Sequence, residues 1–317
     1  MKHPQITALD LESFERGKLH KVWFNIITDP LGEAISLPLL IGRGSEPGPV
    51  LGLTAAVHGN ELNGIPVIQR LFKEIADEKV RGTIIGIPVV NVPAFVRKQR
   101  RFIDGVDLNH IMPGKPSSNV SNVYAYRFFN GLVKHFDYLI DLHTASTGRI
   151  NSYYIRADMS DIKTKELALL QNAQIIVHNP PSDGTLRGAA DELGIPAITL
   201  EVGNPSTFQK GMIRTGITGL YNSLVHLEMI DGDIDSPDQD PVLCKNSYWI
   251  YTDRGGLLSV HPNVTNTVKK GDIIATQYDI FGDKQKEYLA PEDGIVIGKS
   301  ISPVNISGGR ILHLGVI

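Results

Sequence analysis

The stretch PVLGLTAAVHGNEL, residues 49–62, decides how the rest of the chain is interpreted. It begins with a nearly continuous apolar run of strand length, which is typical of a strand buried on both faces of a sheet. After a glycine, apolar residues recur every three or four positions from Leu62 to Phe72, which predicts a helix over residues 61–76. A buried strand followed at once by a helix indicates an α/β fold.

The same alternation continues on both sides of this unit. The further predicted strands are VWFNII (22–27), AISLPLLIG (34–42), TIIGIPVV (83–90), YLIDL (138–142) and PAITLEV (196–202). The further predicted helices are 123–133, 165–171 and 211–228. Strands that alternate with helices predict an α/β sandwich around a mostly parallel or mixed sheet.

The pattern changes near residue 235. DIDSPDQDP (233–241) is acidic, contains proline and has few apolar residues, so it is typical of a linker. Beyond it come short β-prone segments separated by Gly, Asp and Pro, namely SYWIYT (247–252), GLLSVH (256–261), DIIATQY (272–278), GIVIGKSI (294–301) and ILHLGVI (311–317). We therefore predict one large domain over residues 1–235 and a smaller all-β domain over 236–317.

Composition excludes several classes of protein. The 31 Lys+Arg and 34 Asp+Glu residues give a net charge of -3, which does not indicate a nucleic-acid partner. A single cysteine, Cys244, excludes an intramolecular disulfide and a cysteine-based metal cluster, and we expect its thiol to be buried and inert. The first residues lack the apolar centre of a secretory signal, and no apolar run is long enough to cross a bilayer. A cytoplasmic protein without a membrane partner is expected.

Polar residues capable of chemistry stand at the ends of three predicted strands. His58 and Glu61 follow the strand of residues 49–57, His143 ends YLIDLH, and Glu201 lies near the end of PAITLEV. Each residue alone is a weak signal, because a loop histidine or a buried glutamate more often has a structural role. Two histidines and a glutamate with one open position are, however, a common ligand set of catalytic zinc.

A fourth segment, RRFIDGVDLNH (100–110), combines two arginines with an acid and an amide in an irregular stretch. By itself it would be read as a solvated loop rich in turn residues. Its significance depends on whether it joins the three strand ends, which the resemblance below implies.

The segments HGNE, DLN, DLHT and LEVG, in this order, resemble those of carboxypeptidase-type zinc hydrolases over residues 50–205. The closest resemblance is to the succinylglutamate desuccinylase/aspartoacylase family. It implies a carboxypeptidase-like mixed sheet, with the C-terminal β domain added. It also implies one zinc ion per chain, bound by His58, Glu61 and His143, with Glu201 as general base. An arginine that polarises the scissile carbonyl would be Arg101 by position, although Arg100 is adjacent.

The resemblance also implies roles for the DLN segment. Asp107 would hydrogen-bond His58 and so fix its tautomer. The family usually has DLNR, where the Asn and Arg bind a substrate carboxylate, but here Asn109 is followed by His110. Histidine is only partly cationic near neutral pH, so either another arginine binds the carboxylate or the substrate has none there. The arginines that could take over are Arg149, Arg156 and Arg187.

The function expected from this resemblance is zinc-dependent hydrolysis of the amide bond of a small N-acylated amino acid. The alternatives are a metallocarboxypeptidase or an ester-directed deacylase that uses the same site, and a non-catalytic binding protein. Edge strands of the β domain could also pair copies of the chain into a homo-oligomer.

The β domain has a resemblance of its own, to the barrel-sandwich fold of biotinyl and lipoyl carrier domains. Lys284 stands near the position that those carriers modify. The alternative, which we favour, is a β domain that borders the active site and screens out large substrates.

Overall fold

A computed structural model describes residues 3–182, 184–237 and 239–317. Up to residue 230 the elements are β1 (Gln5–Ile6), β2 (Lys18–Thr28), β3 (Ala34–Arg43), β4 (Glu46–Ala55), α1 (Gly64–Glu74), β5 (Arg81–Ile87), α2 (Val92–Val96), α3 (Val120–Gly131), β6 (Tyr138–His143), β7 (Arg149–Asn151), β8 (Tyr153–Ala157), α4 (Ile162–Leu169), β9 (Ile175–His178), α5 (Leu186–Asp191), β10 (Ala197–Val202) and α6 (Lys210–His226). The later strands are β11 (Val242–Cys244), β12 (Asn246–Tyr251), β13 (Gly256–Val260), β14 (Thr267–Val268), β15 (Ile273–Tyr278), β16 (Lys284–Leu289), β17 (Gly294–Ser300), β18 (Val304–Asn305) and β19 (Arg310–Val316).

Ten strands form one large mixed sheet in the order β1-β2-β3-β5-β4-β6-β10-β8-β9-β11. Its centre, β5-β4-β6-β10, is parallel, whereas β8 runs antiparallel to β10 and β2 pairs with β3 as a hairpin. The central strands are apolar on both sides because helices cover both faces. The predicted α/β fold with a mixed sheet is confirmed.

Helices pack on the two faces of this sheet around two separate cores. The side chains of α1, α4 and α6 fill one core, and those of α3 and α5 contribute to the other. Side chains that accept from the backbone N–H three residues later begin three of these helices: Asn119 for α3, Asp161 for α4 and Thr185 for α5. Such N-caps satisfy donors that would otherwise lack a partner at a helix start.

The C-terminal residues form two small antiparallel sheets, β12-β19-β17-β14 and β16-β15-β13-β18, around their own apolar core. The predicted β-rich C-terminal region is thus present. Strand pairing crosses the predicted boundary at residue 235 in both directions. β11 pairs with β9 of the large sheet, and β7 pairs with β17 of the C-terminal sheet. The division into two domains stays a prediction, and Asp238 of the predicted linker lies outside the described residues.

Three further features concern sequence predictions made above. Among the described helices, none is long and apolar enough to span a bilayer. Cys244 is buried, and burial raises the pKa of its thiol to about 11, which agrees with an inert cysteine. Lys284 begins β16 on the surface and pairs with Glu287 at 3.0 Å.

Candidate active site

Three parallel strands, β4, β6 and β10, end side by side at one edge of the large sheet. Their register sets His143 beside Glu201. These ends form the floor of a cavity of about 600 Å³ whose lining includes residues of the C-terminal β sheets. Polar groups at the carboxyl ends of strands therefore converge on one space, which is where open α/β sheets build their sites.

The HGNE segment forms a tight turn between β4 and α1. The backbone N–H of Glu61 donates to the carbonyl of His58 at 3.1 Å. A Cβ at Gly59 would lie 2.2 Å from the backbone of Ala94, so only glycine fits this close approach. The helix begins at Gly64, which corrects the expectation that it starts at residue 61. The turn itself, not the helix, brings His58 and Glu61 together.

His58, Glu61 and His143 point donor atoms at a common point. His58 Nδ1 lies 3.0 Å from one oxygen of Glu61, His143 Nδ1 lies 3.0 Å from the other, and the two Nδ1 atoms are 3.2 Å apart. On the far side of each ring, Nε2 donates to a carboxylate, Asp107 at 2.9 Å and Asp141 at 2.6 Å. Because the carboxylates fix the proton on Nε2, both Nδ1 lone pairs are left to face inward.

This donor set fits a divalent cation. Two inward-facing nitrogens and a carboxylate, all buried and within 4.8 Å of one another, would repel each other unless a proton or a metal ion lies between them. Burial disfavours a charged His143, yet Asp141 and Glu61 hold the pKa of its imidazole well above the usual value. Burial likewise opposes ionisation of Glu61, yet the two histidines keep the pKa of this carboxyl well below its usual range. The surroundings thus favour positive charge, and zinc suits the ligand types.

The two adjacent arginines lie in different environments. Arg100 donates to Glu61 at 2.6 Å and to Asp107 at 3.0 Å, so it is tied to the ligand cluster. Arg101 is exposed, and its Nη1 donates to the carbonyl of Gly105 at 3.2 Å. Both line the cavity, but of the two it is Arg100 that contacts a predicted metal ligand. Position in the sequence pointed to Arg101 as the arginine that polarises the scissile carbonyl, whereas the contacts in the structure point to Arg100.

Glu201 lies on the cavity floor and is 7% exposed. Asn151 donates an amide N–H to one carboxylate oxygen at 3.2 Å, and Arg156 Nε lies 3.7 Å from the other. Burial raises the pKa of this carboxyl, and the positive charge of Arg156 opposes the shift. A buried carboxylate of raised pKa is a stronger base, which is a requirement for general-base catalysis.

The predicted substrate-binding residues lie around the same cavity. Asn109 accepts a hydrogen bond from the backbone N–H of Leu186 at 2.7 Å, so its carbonyl oxygen is occupied at the start of α5. His110 is exposed at the rim. The guanidinium of Arg149 packs over the ring of Trp249 at 5.4 Å. Their role in binding substrate stays a prediction.

Sequence reasoning gave no role to several residues of the cavity and its surroundings. Asp141 stands two residues before His143, and because strand side chains alternate, the shared face was readable from the sequence. The others had no local signal, because they reach the site through long-range strand pairing: Asn151, Trp249, Arg310 and His313.

The family model described as the succinylglutamate desuccinylase/aspartoacylase catalytic domain matches residues 47–227. The chain belongs to the succinylglutamate desuccinylase/aspartoacylase family. The resemblance found in the HGNE, DLN, DLHT and LEVG segments is thereby confirmed, and these segments all fall within the matched residues.

Two relatives of this family member cover most of its length. An N-alpha-acetyl-L-2,4-diaminobutyric acid deacetylase from Halomonas elongata is 26% identical over 87% of this chain and 84% of its own. A succinylglutamate desuccinylase from Pseudomonas fluorescens is 30% identical over 72% of this chain and 83% of its own. The fold matches that of a product-bound ectoine utilization protein EutE (DoeB) from Ruegeria pomeroyi. The TM-score is 0.88 at 23% identity, and the match covers 100% of both chains.

Proposed function

We propose that this family member is a zinc-dependent deacylase that hydrolyses the amide bond of a small N-acylated amino acid. The observation that carries the proposal is the convergence of His58, Glu61 and His143, with the buried carboxylate of Glu201 in register beside them. The relatives named above, a deacetylase and a desuccinylase, support an acyl amide as the bond that is cleaved.

One zinc ion per chain would be held by His58 Nδ1, His143 Nδ1 and the carboxylate of Glu61. A zinc ion in such a set supplies Lewis-acid chemistry and lowers the pKa of a water molecule to about 7. Asp107 and Asp141 would keep both imidazoles in the tautomer that leaves Nδ1 free.

Glu201 would act as general base. Its carboxylate would accept a proton from the attacking water and then donate that proton to the nitrogen of the leaving amine. Asn151 holds one oxygen of this carboxylate at 3.2 Å, which fixes the direction in which the base faces. The products would be a carboxylic acid and a free amine.

We assign to Arg100 the stabilisation of negative charge on the scissile carbonyl oxygen. Its guanidinium lies against Glu61, beside the position where that charge would develop. Arg101 lines the same cavity and is the alternative, which variants of the two residues can separate.

The shape of the cavity supports a small substrate. Trp249, Arg310 and His313 of the C-terminal β sheets form part of its lining, so an extended peptide would have to pass them. The arginines of the lining could bind a substrate carboxylate in place of the residue that His110 replaces.

The first test combines metal content with a substrate panel. Purified protein and the His58→Ala variant are analysed by elemental mass spectrometry, and both are assayed with N-acetyl and N-succinyl amino acids, a peptide and an ester. We expect one zinc per wild-type chain, loss of that zinc in the variant, and hydrolysis of N-acyl amino acids by wild type alone. Absence of metal after incubation with zinc, or hydrolysis confined to peptide or ester, would overturn the proposal.

A further inference from the structure

Polar side chains stand in two rows on one face of the large sheet, beneath the cavity. Glu201 pairs with His143 on one neighbouring strand and with Tyr154 of β8 on the other, so these three form the front row. Asp141 and Arg156 each lie two residues from a member of that row and therefore share its face. Arg156 thus stands behind Tyr154 in the same way as Asp141 stands behind His143.

Arg156 occupies the acceptor positions of the Tyr154 hydroxyl. Its Nε and Nη2 atoms donate to that oxygen at 3.0 Å and 2.7 Å. A phenol oxygen that accepts two hydrogen bonds still carries one hydrogen of its own, which must point elsewhere. The contacts with Arg156 therefore direct the hydroxyl hydrogen of Tyr154 away from the guanidinium.

The carboxylate of Glu201 is available as the acceptor for this hydrogen. Side chains directly opposite each other in an antiparallel pair have Cβ atoms only about 5 Å apart. Burial raises the pKa of the Tyr154 hydroxyl, Arg156 opposes the shift, and Glu201 raises this pKa further as a hydrogen-bond acceptor. The oxygen thus keeps its hydrogen near neutral pH and remains a donor.

The phenol ring is held in place by both parts of the fold. Tyr154 is fully buried, and its ring packs in a small apolar cluster between the large sheet and the C-terminal sheet. His313 contacts the ring edge-on, with centroids 6.0 Å apart and planes inclined by 74°. The other buried members of the cluster are Ile175, Val177, Cys244, Ile295 and Ile297. The hydroxyl is therefore in position before a substrate binds.

A general base needs a fixed direction, and a single partner does not give it. Asn151 donates to one oxygen of Glu201 at 3.2 Å. The last torsion of a glutamate side chain has a broad energy minimum, so the carboxylate plane can turn about one hydrogen bond. A donor at the other oxygen, which lies 3.7 Å from Arg156 Nε, would fix that plane. Misplacement of a reacting group by about 1 Å can lower a rate about a hundredfold.

We propose that Tyr154, oriented by Arg156, is a positioning residue that donates a hydrogen bond to Glu201 and aims this carboxylate at the attacking water. This rests on the proposed deacylase function, in which Glu201 is the general base. Tyr154 acts through Glu201 and not on the substrate, so loss of its hydroxyl affects turnover and leaves substrate binding unchanged.

Removal of the hydroxyl alone is the first test, with the N-acyl amino acid that wild type hydrolyses fastest. Tyr154→Phe keeps the ring and should lower kcat about tenfold or more, with KM within about twofold of wild type and zinc content unchanged. A wild-type kcat in Tyr154→Phe, or a loss confined to KM, would overturn the proposal.

Tyr248→Phe is the matched control. The hydroxyl of Tyr248 also donates to a carboxylate, that of Glu292 at 2.6 Å, but this residue does not line the cavity. The control should therefore leave kcat and KM as in wild type.

A double-mutant cycle separates action through Glu201 from direct contact with the substrate. The second variant is Glu201→Ala, since a glutamine could still accept the hydrogen bond. In the Glu201→Ala background, Tyr154→Phe should lower kcat no further, because the group that it positions is absent. A loss of the same size in both backgrounds would mean that the hydroxyl acts on the substrate itself, which contradicts the proposal.

The same cycle followed by urea unfolding needs no turnover. Tyr154→Phe should raise the unfolding equilibrium constant about tenfold more with Glu201 present than in the Glu201→Ala background, as expected for one hydrogen bond to a buried charge. Loss of the acceptor of Arg156 occurs in both backgrounds and therefore cancels. Equal effects of Tyr154→Phe in the two backgrounds would show that the hydrogen bond to Glu201 does not exist.

The two cycles distinguish failure of this proposal from failure of the proposed function. Hydrolysis of amides without coupling in either cycle would remove the role of Tyr154 and leave the deacylase function intact. Coupling in urea without hydrolysis of any amide would instead overturn the deacylase function, because Glu201 would then be a held carboxylate and not a base.

Discussion

Two regions of the cavity differ in how their polar groups are satisfied: the strand-end cluster, which consists of His58, Glu61, His143 and Glu201, and the β-domain wall, which consists of Trp249, Arg310 and His313. Every member of the strand-end cluster is buried and has a polar partner in the protein. In the β-domain wall, Arg310 is exposed and His313 Nδ1 has no partner among the described residues. Groups fixed before substrate arrives suit the chemical step, and unpartnered groups suit recognition. We infer that the cluster sets the reaction and the wall sets the substrate.

The largest expected effect is on the strand-end cluster. Glu201→Gln should lower kcat by at least about a hundredfold, because the amide cannot accept the proton of the attacking water. The zinc content should stay that of wild type, since the proposed ligands are untouched. Steady-state kinetics with elemental analysis checks both, and full activity in this variant would remove Glu201 from the mechanism.

The second prediction tests which of the two adjacent arginines, Arg100 or Arg101, stabilises the oxyanion. Arg100→Ala should lower kcat by about a hundredfold or more, the usual cost of removing a group that stabilises an oxyanion. Arg101→Ala should have a smaller effect, because its side chain is exposed and bound to a backbone carbonyl. Both are measured at saturating zinc, so that a change in metal affinity does not enter. A larger loss for Arg101→Ala would transfer the role to that residue.

A smaller effect is expected for Asp141, which does not contact the proposed zinc site but accepts a hydrogen bond from the ligand His143. Asp141→Asn should weaken zinc binding about ten- to hundredfold, because an uncharged amide replaces the carboxylate that accepts from His143 Nε2 and fixes its tautomer. Competition with a chelator measures the affinity, and Asp77→Asn, at an exposed acid, serves as the control. Unchanged affinity in Asp141→Asn would mean that the tautomer is set by another group.

The smallest expected effect concerns Asp253, which lies in the C-terminal β region outside the β-domain wall. There the substitution changes the stability of the fold. Lys286 and Tyr288 donate to Asp253 at 2.6 Å and 2.8 Å, and they lower the pKa of this carboxyl from 3.8 to about 2. A lowered pKa stabilises the fold above 3.8, and this contribution is lost as the pH falls towards about 2. Asp253→Asn should therefore unfold at lower urea than wild type near about pH 5, and the difference should shrink on acidification. A difference that does not change with pH would contradict this assignment.

The two regions also differ in how far the sequence predicts them. His143 and Glu201 lie at or near the ends of apolar strands, and His58 and Glu61 follow directly after another, so local pattern and one rule about parallel strands bring the four together. Asn151 and Arg310 have no such pattern. They reach the cavity because β7 and β19 both pair with β17, and pairing between distant segments is not written in local periodicity.

The elements that the sequence analysis missed have equally physical causes. β8 alternates residues of the sheet interior with Arg156, which faces the cavity, so it does not have the continuous apolar run of its neighbours. α5 spans only Leu186–Asp191, too short for a helical period to be recognised. The helix after HGNE was expected to begin at residue 61 because Leu62 and Ile65 fit the helical period, whereas it begins at Gly64.

The pairing of β7 with β17 limits how this protein can change over evolution. The three residues Arg149–Asn151 belong in sequence to the large sheet's part of the chain but are hydrogen-bonded into the C-terminal sheet. Exchanging the C-terminal region for that of a distant relative would replace the β17 residues that lie beside Asn151 and so disturb the support of Glu201. Recombination between lineages should therefore be a poor route to new substrates. Single substitutions at Arg310 or Trp249 leave that pairing intact and are the accessible route.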